Sequence, residues 1–372
     1  MLDRQRLQKE LSRVESSLVI PVSDRFERVQ DAYTKMTQIQ DVDQILGSKK
    51  WGILVPSWKG SWDSVSVVKS QQHPYTVFAV DGSQIYYDKH QGPACYVLNT
   101  GCVVLEYGVT QSTVVVQSDP EIIVAQAYSS AEFDVAVVNN HREHKELLKA
   151  VELAQKYATQ DKPVVGLFDG TLIFNQLDLG RQQQDEQMFQ EYMRCFMQLY
   201  EQKTVHVGYV SFPRGKELVS VLRLVSADFD EKRLYETGDW LHIYDMDIAA
   251  MMLEQGTRSI VFQSKAPVTY AYPSVLKPYF CYMHVGKEIV RLEFPAWIAQ
   301  QPELVDTLCA VAYDQAQKGN GYPVALFEAH QQAVITSVDR EYFYQSLRSS
   351  HMKRNTLYAT SIKSFKKRNL NI

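Results

Sequence analysis

Apolar positions change their period several times along the chain, and each change marks an element. Over residues 1–45 they recur at helical spacing, as Leu7, Leu11, Val14 and Leu18 and then Phe26, Val29, Tyr33 and Met36. This pattern predicts two amphipathic helices broken near Pro21, forming a helical arm over residues 1–47 that can pack on a partner subunit or over the body. Residues 48–74 include "SKKWGILVPSWKGSWDS", lose all period, and read as an irregular connector. At "YTVFAVDGSQ" an unbroken apolar run predicts a buried strand over 75–81, with further strands in "ACYVLNTGCVVLEYG" and "STVVVQS" joined by tight turns and antiparallel to their neighbours.

Beyond residue 139 the period alternates between helix and strand. "NNHREHKELLKAVELAQKYATQ" carries Leu147, Leu148, Val151 and Ala154 on one side and leads into a strand at 164–169. A second long helix, "RQQQDEQMFQEYMRCFMQLYEQK", precedes the strand "VHVGYVSF". "GDWLHIYDMDIAAMMLEQG" ends in a helix before a strand "SIVFQ"; "YFCYMHV" and "EIVRLEF" add two more strands, and residues 302–336 read as helix, Gly-rich turn and helix. Helix–strand alternation of this kind predicts one mixed α/β domain over 75–350, with a central sheet flanked by helices.

Composition narrows the class. An apolar content of 45% and a charged content of 22% are those of a soluble globular protein, no apolar run is long enough for a membrane span, and the charged N-terminus does not resemble a signal peptide. The five cysteines are odd in number, scattered and free of C-x-x-C spacing, which favours a reducing cytoplasm and argues against a thiolate zinc site. The net charge of −4 is unevenly spread: residues 348–372 hold seven basic residues and no acidic one, leaving −11 on the rest. The basic tail over 351–372 reads either as a phosphate-binding arm or as a solvated end.

Two strands end in the same way. "VFAVDGS" and "VGLFDGT" each run an apolar segment into Asp-Gly and a hydroxyl residue, at Asp81 and Asp169. Asp-Gly is ordinary turn chemistry, and spacing alone favours two unrelated turns. If the two strands are neighbours, however, the carboxylates converge and repel unless a hard cation neutralises them, a role that suits magnesium or manganese in phosphodiester hydrolysis. Glu143, Glu146 and Glu152 on the helix before Asp169 are candidate third ligands, although helix glutamates are usually solvated; Glu152, between Val151 and Leu153, lies near the apolar boundary. In "GYPVALFEAH", Tyr322 and His330 are eight residues apart, so on one helix their faces differ by about 80°. A lone His beside apolar residues is more often a core residue than a catalyst, and its role is open on sequence grounds. His141 and His144 lack further zinc ligands nearby, and G-x-x-x-x-G-K-[ST], G-x-S-x-G and H-E-x-x-H are all missing.

In order, "AVDGS", the glutamate-bearing helix before "LFDGTL", and "GYPVALFEAH" resemble the NurA nuclease family over most of residues 75–350. The resemblance implies a ribonuclease H-like core and a manganese-dependent nuclease, with magnesium possible, having single-strand endonuclease and 5′-to-3′ exonuclease activity on DNA. It also implies a homodimer docking on a HerA-type hexameric ATPase. Carried over by motif, Asp81 and Asp169 become strand carboxylates, Glu152 the helix glutamate with Glu146 as alternative, and Tyr322 and His330 the C-terminal pair, all five catalytic, with Asp81, Glu152, Asp169 and His330 as the metal ligands. The basic position after the next strand falls on Lys216 or Arg214 in "SFPRGKEL", as a phosphate contact. Two rival functions are a non-catalytic DNA-end adaptor of the ATPase and an RNA-directed hydrolase of the same fold.

Overall fold

The structure is a computed structural model describing residues 2–18, 23–69, 74–90, 94–108, 111–124, 133–158, 162–238 and 240–353. Its elements begin with α1 (Arg4–Leu18), α2 (Ser23–Thr37), α3 (Val42–Gly47), β1 (Ser57–Trp58) and β2 (Val65–Val67). Three long strands follow, β3 (Tyr75–Ile85), β4 (Cys95–Tyr107) and β5 (Thr113–Val124), and then α4 (Val135–Tyr157), β6 (Val164–Asp169), α5 (Gln183–Glu201) and β7 (Val205–Val210). The second half comprises α6 (Glu217–Ser226), α7 (Asp245–Met252), β8 (Thr257–Ser259), β9 (Phe262–Gln263), β10 (Pro278–His284) and β11 (Ile289–Pro295). It closes with α8 (Ala296–Ala299), α9 (Pro302–Lys318), α10 (Val324–Ala333) and α11 (Ser337–Lys353).

One sheet runs in the order β1-β9-β10-β11-β7-β6-β3-β4-β5, with β8 pairing β10 and β2 pairing β8. Its long strands are mostly antiparallel, but β3, β6 and β7 are parallel at the centre. Parallel strands need crossovers, supplied here by α4 and α5, so both faces are covered and the central strands are apolar over most of their length. Val77, Ala79, Val165 and Val207 are each fully buried. Side chains alternate across the sheet, which places α4 and α5 on one face and α9 and α10 on the other. This is the mixed α/β sheet flanked by helices that the alternating period predicts.

A second apolar cluster lies under α6. That helix escapes a periodicity reading because Leu218, Val219, Val221, Leu222, Leu224 and Val225 make it apolar on all sides; it is buried all round. Residues 23–47 are less an arm than a cover for it: Val29, Ala32 and Met36 of α2 are buried in the same cluster, whereas residues 4–13 of α1 are exposed. The connector is likewise more ordered than its composition suggests. It contributes β1 and β2 to the sheet, and Trp58 and Trp62 pack edge-on to each other at 5.3 Å and to Phe262 at 5.9 and 5.7 Å. Residues 351–353 of the basic tail end α11, itself unforeseen from the sequence; residues 354–372 lie outside the described residues. Among the described residues no helix is long and apolar enough to cross a membrane.

Buried in the core, His206 on β7 stacks on Phe196 with centroids 5.5 Å apart, and its Nδ1 lies 3.0 Å from the Thr204 carbonyl. Burial pushes its pKa down to about 4. The unfolded imidazole takes up a proton near pH 6.5 and the native one only near 4, so the stability tied to this residue is complete above 6.5 and lost as pH falls through 4. Replacing it by the similarly shaped Phe should remove this dependence: the stability difference between His206→Phe and wild type, from urea unfolding, should shift in the variant's favour by about 3 kcal/mol between pH 7 and pH 4.

Candidate active site

The two Asp-Gly sequences have different structures. At Asp81 the chain does not turn; β3 continues to Ile85, paired with β4 through Asp81↔Gly101 and Gly82↔Thr100. At Asp169 it does, and Gly170 takes a left-handed φ of 100° while its N–H donates to the Tyr209 carbonyl at 2.9 Å. Parallel pairing of β3 with β6 ends at Val80↔Phe168, so Asp81 and Asp169 are the next residues on adjacent strands and share a face. Neighbouring strands lie about 4.8 Å apart, which brings the two acids side by side at the carboxyl edge.

Each acid has its own partner. Nδ1 of His330 lies 2.7 Å from Asp81 Oδ2, and the other carboxylate oxygen accepts the Gly82 N–H at 2.8 Å. The Tyr322 hydroxyl donates to Asp169. The Asp169 pKa is raised, chiefly by burial and also by the charge of Asp81, although the Tyr322 hydrogen bond acts against this. Burial and the nearby acid push the Tyr322 phenol up as well.

Glu143 lines a cavity with this pair, and so does Glu146. The Glu146 pKa is pushed up to about 8 by burial, with further contributions from Asp81, Glu143 and Asp169 and a partial offset from Arg142. Arg142 Nε lies 3.5 Å from Glu146 Oε1, yet both atoms are buried and neither has a hydrogen-bond partner; Arg142 donates instead through Nη1 to the Gly82 carbonyl at 3.1 Å. Glu143 accepts from the Tyr192 hydroxyl at 3.0 Å. A cavity of about 290 Å³ opens here, lined by Asp81, Arg142, Glu143, Glu146, Asp169 and Thr171 among others.

Glu152 is not part of this group. Its carboxylate is paired with Lys149 at 3.0 Å, and Lys149 in turn reaches Asp119 of β5 at 3.3 Å. Its side chain is 63% exposed. Six residues of helix rotate it about 240° from Glu146 and carry it about 9 Å further from the site. The expectation for the helix glutamate is therefore corrected: Val151 and Leu153 do not turn Glu152 toward the sheet. The adjoining i,i+4 pair Arg142–Glu146 was the better signal. Lys216 does not face the acids either; its ammonium donates to the Trp240 and Leu241 carbonyls and lies 5.3 Å from the Tyr244 ring, tying down the following loop. Arg214 is exposed on the segment leaving β7 at the same sheet edge.

Two glycines let the helices close on the acids. A Cβ on Gly82 would fall 2.4 Å from Glu146 Oε1 and 2.7 Å from Arg142 Cγ. One on Gly101, directly across from Asp81, would fall 2.3 Å from the Ala333 nitrogen and 2.6 Å from the Ala329 carbonyl. Backbone contact at Gly101 is what lets α10 lie low enough for His330 to reach Asp81. The end of α10 is then held by Ser83, whose hydroxyl donates to the Ala333 carbonyl, and by Asn99, which donates to the same carbonyl at 2.8 Å.

The turn after Asp169 rests on a buried ionic network with no sequence signature. Glu293 accepts from the Thr171 hydroxyl at 2.7 Å and the Leu172 N–H at 2.8 Å, and is paired with Arg291 at 2.7 Å. Arg291 also lies 3.3 Å from Glu217, and Tyr282 donates to Asp245 at 2.9 Å. Asp245 accepts the N–H groups of Glu217 and Val219, each at 2.9 Å, and burial pushes its pKa up to about 6. With its charges paired and its lone pairs filled, this network is sustainable in the core, whereas removal of one member would strand the others.

Fold and site together define a mixed α/β protein with an acidic centre at the carboxyl edge of its parallel strands. The chain belongs to the NurA domain family, whose profile matches residues 75–335. No curated protein matches it. Solved structures similar to it include a NurA bound to dAMP and manganese, at 12% identity and a TM-score of 0.39 over 89% of this chain and 98% of that one. The Aquifex aeolicus Argonaute matches at 9% identity and a TM-score of 0.26, over 73% of this chain and 30% of that one. A prototype foamy virus protease–reverse transcriptase matches at 13% and 0.24, over 38% and 18%.

Because Gly101 sits under the α10 backbone, Gly101→Ala should lift that helix and destabilise the protein by about 1–3 kcal/mol, measured as a lower urea midpoint at unchanged m. Loss of the His330–Asp81 hydrogen bond should accompany it, visible as a changed imidazole resonance in NMR.

Proposed function

We propose that this chain is a divalent-metal-dependent DNA nuclease, in which Asp81, Asp169 and Glu146 are the metal ligands and His330 and Tyr322 act beside them. The observation that carries the reading is Glu146 Oε1, a buried carboxylate oxygen without a hydrogen-bond partner, on the wall of the same cavity as two aspartates on adjacent parallel strands. Three carboxyl groups in one partly buried cavity repel as anions, and a hard divalent cation is the partner that neutralises them. Among the described residues, no three such side chains stand close enough to hold one ion as they are placed, so ligation requires side chains of the cavity to move closer together. All-oxygen donors suit manganese, which we propose as the ion, and magnesium as its substitute.

When bound, such an ion polarises the scissile phosphate and lowers the pKa of attacking water. The chain's own groups do the rest. Asp81 and Asp169, fixed by strand pairing, present their carboxylates side by side at one sheet edge. His330, with Nδ1 directed at Asp81, keeps Nε2 for moving a proton at the leaving oxygen. The Tyr322 hydroxyl, a donor to Asp169, orients that carboxylate, and Arg142 contributes a positive charge to an otherwise acidic cavity. Arg214 is the proposed phosphate contact at the rim.

The finer assignments rest on the family. They comprise a ribonuclease H-like arrangement, supported by the order β5-β4-β3-β6-β7 with β4 antiparallel to β3. They extend to single-strand endonuclease and 5′-to-3′ exonuclease activity, a homodimer, a HerA-type hexameric ATPase partner and a cytoplasmic setting.

Asp81→Asn and Glu146→Gln should each lower manganese-dependent cleavage of single-stranded DNA roughly a hundredfold or more, with unchanged circular dichroism. Glu152→Gln should stay within about twofold of wild type. Full activity in Glu146→Gln with loss in Glu152→Gln would reverse the assignment, and RNA of the same sequence as a parallel substrate tests the sugar preference.

A further inference from the structure

We propose that Phe212, on the segment leaving β7, is a stacking platform for a nucleobase of single-stranded DNA drawn across the acidic centre. The proposal rests on the nuclease reading and deepens it. A singly exposed Phe needs no explanation in general, but this one combines exposure with strain. Its side chain is 65% exposed and its backbone is left-handed, with φ at 45°. For a bulky aromatic residue that conformation is an outlier, and it persists only where the surroundings enforce it. Phe229 has a comparable φ of 59°, but its ring packs against the apolar cluster under α6, which offsets the strain. Phe212 has no such burial.

What enforces the conformation is a clamp from the β10–β11 turn. Glu288 accepts from the Ser211 hydroxyl at 2.8 and 3.0 Å and from the Phe212 N–H at 3.3 Å. Ser211 follows Tyr209 by two residues, so the clamp adjoins the sheet edge where Asp169 lies. Tyr209 pairs with Asp169 across the β6–β7 ladder and meets the Tyr322 ring edge-on at 5.7 Å. On the far side of the acids, Phe327 is 51% exposed on α10, one turn before His330. Across the sheet the order is therefore Phe212 beyond β7, Asp169 on β6, Asp81 on β3, and Phe327 on the helix covering β3 and β4. Aromatic faces beside a phosphate path bind single strands without regard to sequence, because every base presents a π-face.

The test uses the full chain in EDTA with a fluorescein-labelled dT15 and a matched abasic strand. Wild type should bind dT15 about tenfold tighter than the abasic strand, and Phe212→Leu, which keeps the apolar bulk but removes the π-face, should abolish most of that preference. Phe212→Trp should restore it and show tryptophan quenching on dT15 alone. Phe212→Asn, compatible with the left-handed backbone, should unfold at or above the wild-type temperature while binding dT15 as weakly as the Leu variant. Equal dT15 affinity in wild type and Phe212→Leu, with cleavage intact, would overturn the platform while leaving the nuclease reading in place. If wild type neither binds nor cleaves DNA when manganese is supplied, the nuclease reading fails and the platform with it.

Discussion

The register between β3 and β6 is the constraint on which the site depends. Because these two strands run parallel and their last shared pair is Val80↔Phe168, the next residues, Asp81 and Asp169, lie side by side. A slip of one residue would turn one of the two acids to the opposite face. That register is in turn secured by the core: Val77, Ala79, Val165 and Leu167 are buried to within 1% of full enclosure, and moving them to the other face would undo the packing of both helical layers. The same apolar burial that folds the sheet therefore fixes the spacing of the two acids.

Around this pair the molecule arranges three supports of different kinds. From one face α4 brings Arg142 and Glu146 over Gly82; from the other α10 brings His330 over Gly101. Beneath the turn after Asp169, the Arg291–Glu293 pair holds Thr171 and Leu172. The first two are steric, requiring the absence of a side chain; the third is ionic and requires complete pairing. Burial, and beside it the charge of the neighbouring acids, raises the pKa values of Asp169 and Glu146.

Sequence legibility followed the strength of local signals. Strands such as β3, β6 and β7 and helices such as α4, α5 and α9 announce themselves by unbroken apolar runs or by amphipathic period. α6 does not, because burial on every side erases the period, and α11 was read as ordinary domain and tail. Residues 48–74 lack any period, yet Trp58 and Trp62 anchor them in the core beside Phe262. The choice between Glu146 and Glu152 failed on rotation: flanking apolar residues indicate nearness to a face boundary, but six residues of helix separate one boundary from the other.

By itself, the sequence determined the kinds of element, the mixed α/β class, and the ordered Asp81, Asp169, Tyr322 and His330 motifs, because these are local in the chain. Only the tertiary structure decided that Asp81 stays in a strand while Asp169 begins a turn, that Glu146 shares their cavity while Glu152 pairs with Lys149 outside it, and that Lys216 braces a loop. Those outcomes depend on which strand lies next to which and on how closely a helix can approach a glycine. Such contacts join residues far apart in sequence, so no local pattern encodes them.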